Sequence, residues 1–301
     1  MSVEQVRDYV AVIIHYKAAI QVSRLITNLS DVACPPKKIV VIDNSEDLDI
    51  EVLYSPRVNI PVEVIPLPNP GYAAAVNRAR LEVERHTEFL LVLTQEVVLE
   101  SETICRLFSS ISNDDRVSLV GPLLYRNSNI ESLFSAGGIL TSGGETIHLE
   151  HRLLDADYDV EWVDGAVMLM RTAVLDEIGG LDEKYFLYFE EVDLAYRMRE
   201  LGYKVIVNPQ ARAYQEPGDY TAYLRFRNHI LFARSRFTVF RVVLAILAKF
   251  IRAIPGWIVR RNFLGPVWSV RGVLDGIRSV VGRPPPDPFS QVHRNRNRIL
   301  N

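Results

Sequence analysis

Cysteine is scarce in this chain: 301 residues hold two, Cys34 and Cys105. Neither has a partner thiol or histidine at metal-ligand spacing, which excludes a zinc ribbon or a dense disulfide framework. The pair reads as reduced thiols in a cytoplasmic compartment. No run of eighteen uninterrupted apolar residues occurs, so a clear transmembrane helix is not expected. Met1 to Tyr9 carries charges and no apolar core, and no secretory leader is visible there. Internal repeats are missing too. What is plentiful is core-forming material: 48% of residues are hydrophobic and 24% charged, a globular balance that excludes disorder as the dominant state.

The net charge of −3 hides an asymmetry. From Arg225 to Asn301 there are fifteen Lys and Arg against two acids, Asp275 and Asp287, which leaves 19 basic and 35 acidic groups for the rest. A basic C-terminal part of this kind seeks anionic partners, membrane lipid or nucleic acid. No nucleic-acid recognition fold accompanies it, so nucleic acid is not expected as a partner.

Tyr9 to His15 and Lys38 to Asp43 are short apolar runs rich in β-branched residues, the pattern of buried parallel strands. Val62 to Ile65 and Phe89 to Leu93 add two more strands. Helical spacing covers Ala18 to Leu29, Gly71 to Val83 and Glu190 to Leu201, with Gly202 as a stop. Residues 126–159, with Gly137, Gly138, Gly143 and Gly144, read as loops or short strands. Alternating strands and helices predict an α/β fold with a mainly parallel sheet, whose ligands lie beyond the carboxyl ends of the strands. That edge collects His15, Asp43-Asn44-Ser45 and Thr94-Gln95-Glu96.

Four motifs follow in order: Val40 to Ser45, Pro68 to Asn77, Val163-Asp-Gly-Ala166 onward to Arg171, and Ile178 to Leu194 with its Glu190-Glu191-Val192-Asp193. Together, over residues 9 to 236, they resemble the family 2 glycosyltransferases of the GT-A fold, in particular the rhamnosyltransferase-like branch. The resemblance implies a catalytic domain over 1–236 and an inverting transfer of a sugar from a nucleotide-sugar donor to a glycan or lipid-linked acceptor, with a homo-oligomer as an open option. Rhamnose is the sugar it suggests first. Asp43 and Asn44 would contact the nucleotide, although Asp43-Asn44-Ser45 also suits a plain turn. Gly71, Tyr72, Asn77 and Gln95 would line the donor site, where a helix N-terminus favours phosphate. Asp164 and Gly165 would lie under the acceptor. Glu191 would be the base, with Glu190 and Asp193 organising the site. The plain alternative is that acids in a first helical turn only complement the helix dipole.

The sequence departs from the family where a metal is handled. After the fourth strand stands Thr94-Gln95-Glu96, which leaves Glu96 as the single candidate ligand for Mg2+ or Mn2+. Gln215 occupies the position of a common histidine. Three readings stay open: Glu96 suffices because magnesium keeps waters and borrows phosphate oxygens, Arg212, Arg225 or Arg227 neutralises the diphosphate instead, or the donor chemistry is lost and the chain is a non-catalytic scaffold. His148 and His151 read as surface polar residues without a third ligand.

Residues 237–301 form the second region. Phe237 to Val259 is rich in Val, Leu, Ile and Phe, yet Arg241, Lys249 and Arg252 interrupt it and Pro255-Gly256 follows. Charges inside a bilayer are costly, so an amphipathic segment lying in the membrane interface, with Trp257 and Trp268 at the headgroups, suits it better than a spanning helix. A helix packed on the catalytic domain is the other reading. The expected location is peripheral, at the inner face of the cell membrane. Residues 294–298 read as a basic tail.

Overall fold

The computed structural model describes residues 8–286 except 47, 50–52, 54–57, 85, 127–128, 216–220 and 260–263. The basic tail at 294–298 lies outside the described residues. The strands are β1 (Tyr9–His15), β2 (Lys38–Asp43), β3 (Val62–Pro66), β4 (Phe89–Thr94), β5 (Val98–Leu99), β6 (Val117–Arg126), β7 (Asn129–Ser135), β8 (Gly138–Leu140), β9 (Thr146–His148), β10 (Tyr158–Asp159), β11 (Val167–Arg171) and β12 (Lys204–Gln215). The helices are α1 (Ala19–Asp31), α2 (Tyr72–Glu82), α3 (Thr103–Asn113), α4 (Thr172–Glu177), α5 (Glu190–Glu200), α6 (Ala222–Ala233), α7 (Val239–Val259) and α8 (Gly265–Ile277).

One twisted sheet runs in the order β10-β12-β6-β11-β4-β1-β2-β3, with β5 on β12 and β7 on β6. Its first half is parallel: β1 sits between β2 and β4, and β3 flanks β2. Helices cover both faces, so β1 is buried along its whole length, as a run of Val, Ile and Ala must be. β11 enters antiparallel between β4 and β6, while β12 returns parallel to β6. The fold is α/β of the GT-A type, as expected. β8 and β9 form a separate two-stranded hairpin within the stretch read as loops or short strands.

The cysteines correct the sequence reading. Cys34, just past α1, and Cys105, on α3, form a disulfide with Cα atoms 5.6 Å apart. Their separation of 71 positions concealed this. The two helices cover one face of the sheet, joined through β5 and through Asn28, which exchanges hydrogen bonds with Leu99.

The C-terminal helices are layered on the catalytic fold. α8 lies on α6 through Gly272 and Gly276, both buried, while Gly265 at its start lies against Trp257 of α7. A Cβ at Gly272 would stand 2.4 Å from the Tyr223 carbonyl oxygen, so only glycine allows this approach. α7 rests on the β8–β9 turn, where Gly143 leaves room for Ala245 and the Arg241 carbonyl.

Candidate active site

The carboxyl ends of β1, β2 and β4 open toward the start of α5, and β11 is preceded there by Asp164-Gly165. The central side chain is Tyr72, the first residue of α2, whose hydroxyl donates to the Gly165 carbonyl at 2.6 Å. Four carboxylates act on it: Glu190, Glu191, Asp164 and Glu96. Burial, with those negative charges added, pushes the Tyr72 phenol well above its ordinary value.

The carboxylates share one environment. Burial raises Glu190 to about 7; one oxygen accepts from backbone N–H groups, whereas Oε2 is buried without a partner. Burial raises Glu191 well above the carboxylate range, with repulsion from Glu190 and Asp164 added. Glu96 is raised by burial and by Asp164, and Asp164 by burial. Gly165 makes the cluster compact: a Cβ there would lie 3.7 Å from that of Glu191. Such groups, pushed toward neutrality by burial and, for Glu191 and Glu96, by neighbouring carboxylates as well, mark a site that accepts protons or positive charge.

The loop before α5 is held in an unusual shape. Phe186, Tyr188 and Phe189 all have positive φ, at 70°, 70° and 78°. Three non-glycine residues in that region are strained by about 1–3 kcal/mol each, and persist only under external restraint. α6 supplies it. Asn228 donates to the carbonyls of Leu187 and Tyr188, both at 2.8 Å, and Arg227 donates to that of Tyr185 at 2.6 Å. From the other side, the Tyr72 amide donates to the Phe186 carbonyl at 2.7 Å. Gly71, with φ of 112°, is required because a Cβ would meet that same oxygen at 2.4 Å.

Several residues expected to touch ligand are occupied in holding this frame. Gly71 and the first amide of α2 receive the Phe186 backbone rather than an open phosphate cradle. Asn77 donates to Leu181 and Glu183 and accepts from the Leu181 amide, which ties α2 to the loop after α4. Gln95 accepts from the Tyr16 amide and donates to its carbonyl, clipping the end of β1 to that of β4. Asp193 is fully buried and receives Tyr185 Oη at 2.9 Å, Arg197 Nε at 2.7 Å and Arg236 at 2.6 Å, so it organises rather than reacts. Arg227 is likewise committed to Asn228, Gly282 and Tyr185. Arg212 and Arg225 remain exposed.

At the end of β2, Asp43 accepts from the amides of Ser45 and Leu48, both at 2.9 Å, and from the Ser45 hydroxyl at 2.8 Å. Burial pushes this carboxyl up, but those hydrogen bonds prevail and hold it below its ordinary value. The turn and an ionised acid therefore coexist at Asp43. Asn44 beside it is buried and its Oδ1 has no hydrogen-bond partner.

His148 corrects the reading of it as surface polarity. It ends β9, packs edge-on against Trp162 at 4.7 Å and tilted against Phe134 at 5.0 Å, and places Nδ1 4.0 Å from Asp164 Oδ2. Burial lowers the imidazole while Asp164 opposes that shift. His151 stays exposed. The His148 side chain, 35% exposed, turns toward Trp162 and Asp164 because β9 is a strand.

For a metal, hard oxygen ligands are present in Glu96 and Asp164, and their mutual repulsion is what a divalent cation would relieve. Among the described residues no group of three His, Cys, Asp or Glu gathers as a ready-made site. Gln215 is buried at the end of β12. The donor set therefore fits a cation held mostly by phosphate oxygens and water, for which Glu96 would be the candidate protein ligand.

A GT-A sheet with an acidic cluster at its carboxyl edge defines a nucleotide-sugar-dependent glycosyltransferase. Residues 7–230 match the family described as Glycosyltransferase like family 2, and the chain belongs to it. It is 27% identical to the low-salt glycan biosynthesis hexosyltransferase Agl10 of Haloferax volcanii over 304 aligned residues, covering 92% of this chain and 93% of that one. It is 25% identical to the N-acetylglucosaminyl-diphospho-decaprenol L-rhamnosyltransferase of Mycobacterium tuberculosis, over 66% of this chain and 73% of that one. In fold it is similar to the mannosyltransferase PcManGT of Pyrobaculum calidifontis, solved with GDP-Man and Mn2+, with TM-score 0.54, 12% identity and coverage of 90% and 85%. S. aureus TarS 1-349 with UDP-GlcNAc gives TM-score 0.54 at 16% identity, covering 90% of this chain and 81% of that one.

Proposed function

We propose that this glycosyltransferase inverts configuration in a single displacement, with Glu191 as the base. The observation that carries the reading is the convergence of Glu191, Glu190, Asp164 and Glu96 around Tyr72. The acceptor hydroxyl, positioned over Asp164 and Gly165, attacks the anomeric carbon of the donor sugar. Glu191 takes the hydroxyl proton as the new C–O bond forms, and the bond from the anomeric carbon to the diphosphate breaks. Burial, with repulsion from Glu190 and Asp164 added, raises the proton affinity of Glu191, which suits a group that ends the step holding a proton. Asn44 and Asp43 receive the nucleotide base. A divalent cation, Mg2+ or Mn2+, bound with the diphosphate beside Glu96 would supply charge neutralisation for the leaving group; exposed Arg225 is the protein's own cation near the cleft.

The donor sugar favoured by the relatives is a deoxyhexose or hexose, rhamnose among them, and the acceptor is a glycan on a lipid carrier at a membrane surface. Residues 1–236 act as the catalytic unit and 237–301 as the membrane-associating one. Calorimetric titration with dTDP- and UDP-sugars, in Mg2+ or Mn2+ and again in EDTA, tests the donor site. Binding that EDTA weakens at least about tenfold, as loss of a phosphate-bridging ion requires, agrees with the Glu96 site. Binding untouched by EDTA transfers that role to arginine, and no binding across the panel contradicts the donor reading.

A further inference from the structure

α7 and α8 leave uncovered apolar stripes. On α7 the exposed residues Phe240, Val243, Leu247, Ile251, Ile254 and Ile258 recur every three or four positions and share one face. On α8, Val267, Val270, Leu274 and Ile277 do the same, at 44–63% exposure. The opposite sides are packed: Ile246 and Lys249 of α7 are buried, as are Gly272 and Gly276 of α8 against α6. The stripes are flanked by exposed Arg241 on α7 and by exposed Arg278 just past α8; Arg252 and Arg271 also stand beside them, paired with Glu145 and, at 3.7 Å, with Asp275. Between Arg234 and Pro286 the only acid is Asp275, which accepts from Tyr223 Oη at 2.9 Å.

We infer that these two faces dock the enzyme, monotopically, on an anionic lipid leaflet, with both helices lying in the interface. The inference rests on the membrane-side part of the proposed function and specifies its surface and lipid chemistry. Aliphatic stripes enter the acyl boundary while the flanking arginines meet lipid phosphates. Charge selects this occupant over a second copy of the chain. A two-fold interface would set Arg241 and Arg278 of one face against those of the other, while the acids beside the stripes among the described residues, Glu145 and Asp275, are already paired with Arg252 and Arg271. It also disfavours spanning. α7 meets the length criterion for a bilayer span, but Lys249 donates to the Arg225 carbonyl at 3.1 Å and Arg252 pairs with buried Glu145, which hold the helix against the protein.

Docking in this way places the reaction at the membrane. Lys249, on the inner side of α7, lies 5.8 Å from the ring centroid of Phe189, the residue before Glu190. One helix diameter, about 10 Å, therefore separates the lipid-facing stripe from the segment that carries the acids. An acceptor sugar joined to a lipid carrier would need only a short reach into the cleft.

The test is flotation of the full-length protein with vesicles of phosphatidylcholine alone or mixed with phosphatidylglycerol. Wild type is expected to float with the mixed vesicles and far less with phosphatidylcholine alone. Leu247→Glu with Ile251→Glu should lower the bound fraction at least about tenfold, since both residues enter the acyl boundary. Arg271→Glu with Arg278→Glu should also lower it. Ile20→Glu and Leu201→Glu, at exposed apolar positions elsewhere, should leave it unchanged. All replaced side chains are exposed, and an unchanged thermal midpoint verifies folding. Flotation unaffected by the α7 pair would assign binding to the basic tail and overturn the inference. So would a wild-type dimer, seen by sedimentation velocity, that the α7 pair dissolves without any flotation. Resistance of bound wild type to carbonate extraction would overturn the monotopic arrangement. Donor titration is independent of these outcomes, so failure here leaves the catalytic reading standing.

Discussion

Glu190 illustrates how single residues trade stability for reactivity. Its carboxyl, raised to about 7 in the folded protein, ionises near 4.5 when exposed. Between those values the folded state holds a proton that the unfolded state has lost, so stability is full below pH 4.5 and declines as pH rises through 7. The cost at pH 8 is on the order of 3 kcal/mol. Glu190→Gln should therefore raise the thermal midpoint at pH 8, leave it nearly unchanged at pH 4.5, and flatten the pH dependence between. Equal midpoint shifts at both values would mean that the carboxyl is not strained by ionisation. At this scale the sequence was legible in type more than in role. The acids Glu190, Glu191 and Asp164 were found as chemistry, but whether Asn77 and Gln95 face a ligand depends on partners 104 and 79 positions away. His148 was missed because its neighbours Trp162 and Asp164 lie on another segment.

At the scale of elements, the aromatic run before α5 is the feature on which the site depends. Its three left-handed residues are an arrangement that local propensity opposes, and α6 enforces it through Arg227 and Asn228. Asn228→Ala would free the carbonyls of Leu187 and Tyr188, and the loop would relax toward ordinary φ values. The expected result is a loss of about 1–3 kcal/mol in unfolding free energy, from buried acceptors left unpaired, and a fall in turnover larger than that in donor affinity. Denaturant unfolding and donor titration measure the two; unchanged turnover would show that the clamp does not hold the acids. Element types were readable where burial is simple. β1, β2 and β4 are covered on both faces and so appear as unbroken apolar runs. The long strands β6 and β12 were not read, because Gly121-Pro122 and Asn208-Pro209 interrupt each with residues that signal turns. In β12 the register with β6 shifts between Asn208 and Arg212, and that irregularity accommodates the breakers.

Across the whole molecule, order of motifs carried the fold, because parallel strands joined by helices have few right-handed ways to close. What sequence order could not supply was the antiparallel entry of β11, the Cys34–Cys105 bridge and the packing of α8 on α6, each made between distant segments. The resulting molecule places its acids between the end of β2 at Asp43 and Asn44 and a helical layer with an uncovered apolar face. The central claim is that Glu191 is the base at that junction. The most direct measurement is transfer of sugar, from the donor that calorimetry shows to bind, to a lipid-linked glycan acceptor, comparing wild type with Glu191→Gln. Loss of a general base predicts a fall of about 10²–10⁴-fold in turnover, with donor affinity essentially unchanged. Turnover equal to that of wild type, at equal donor affinity, would contradict the account.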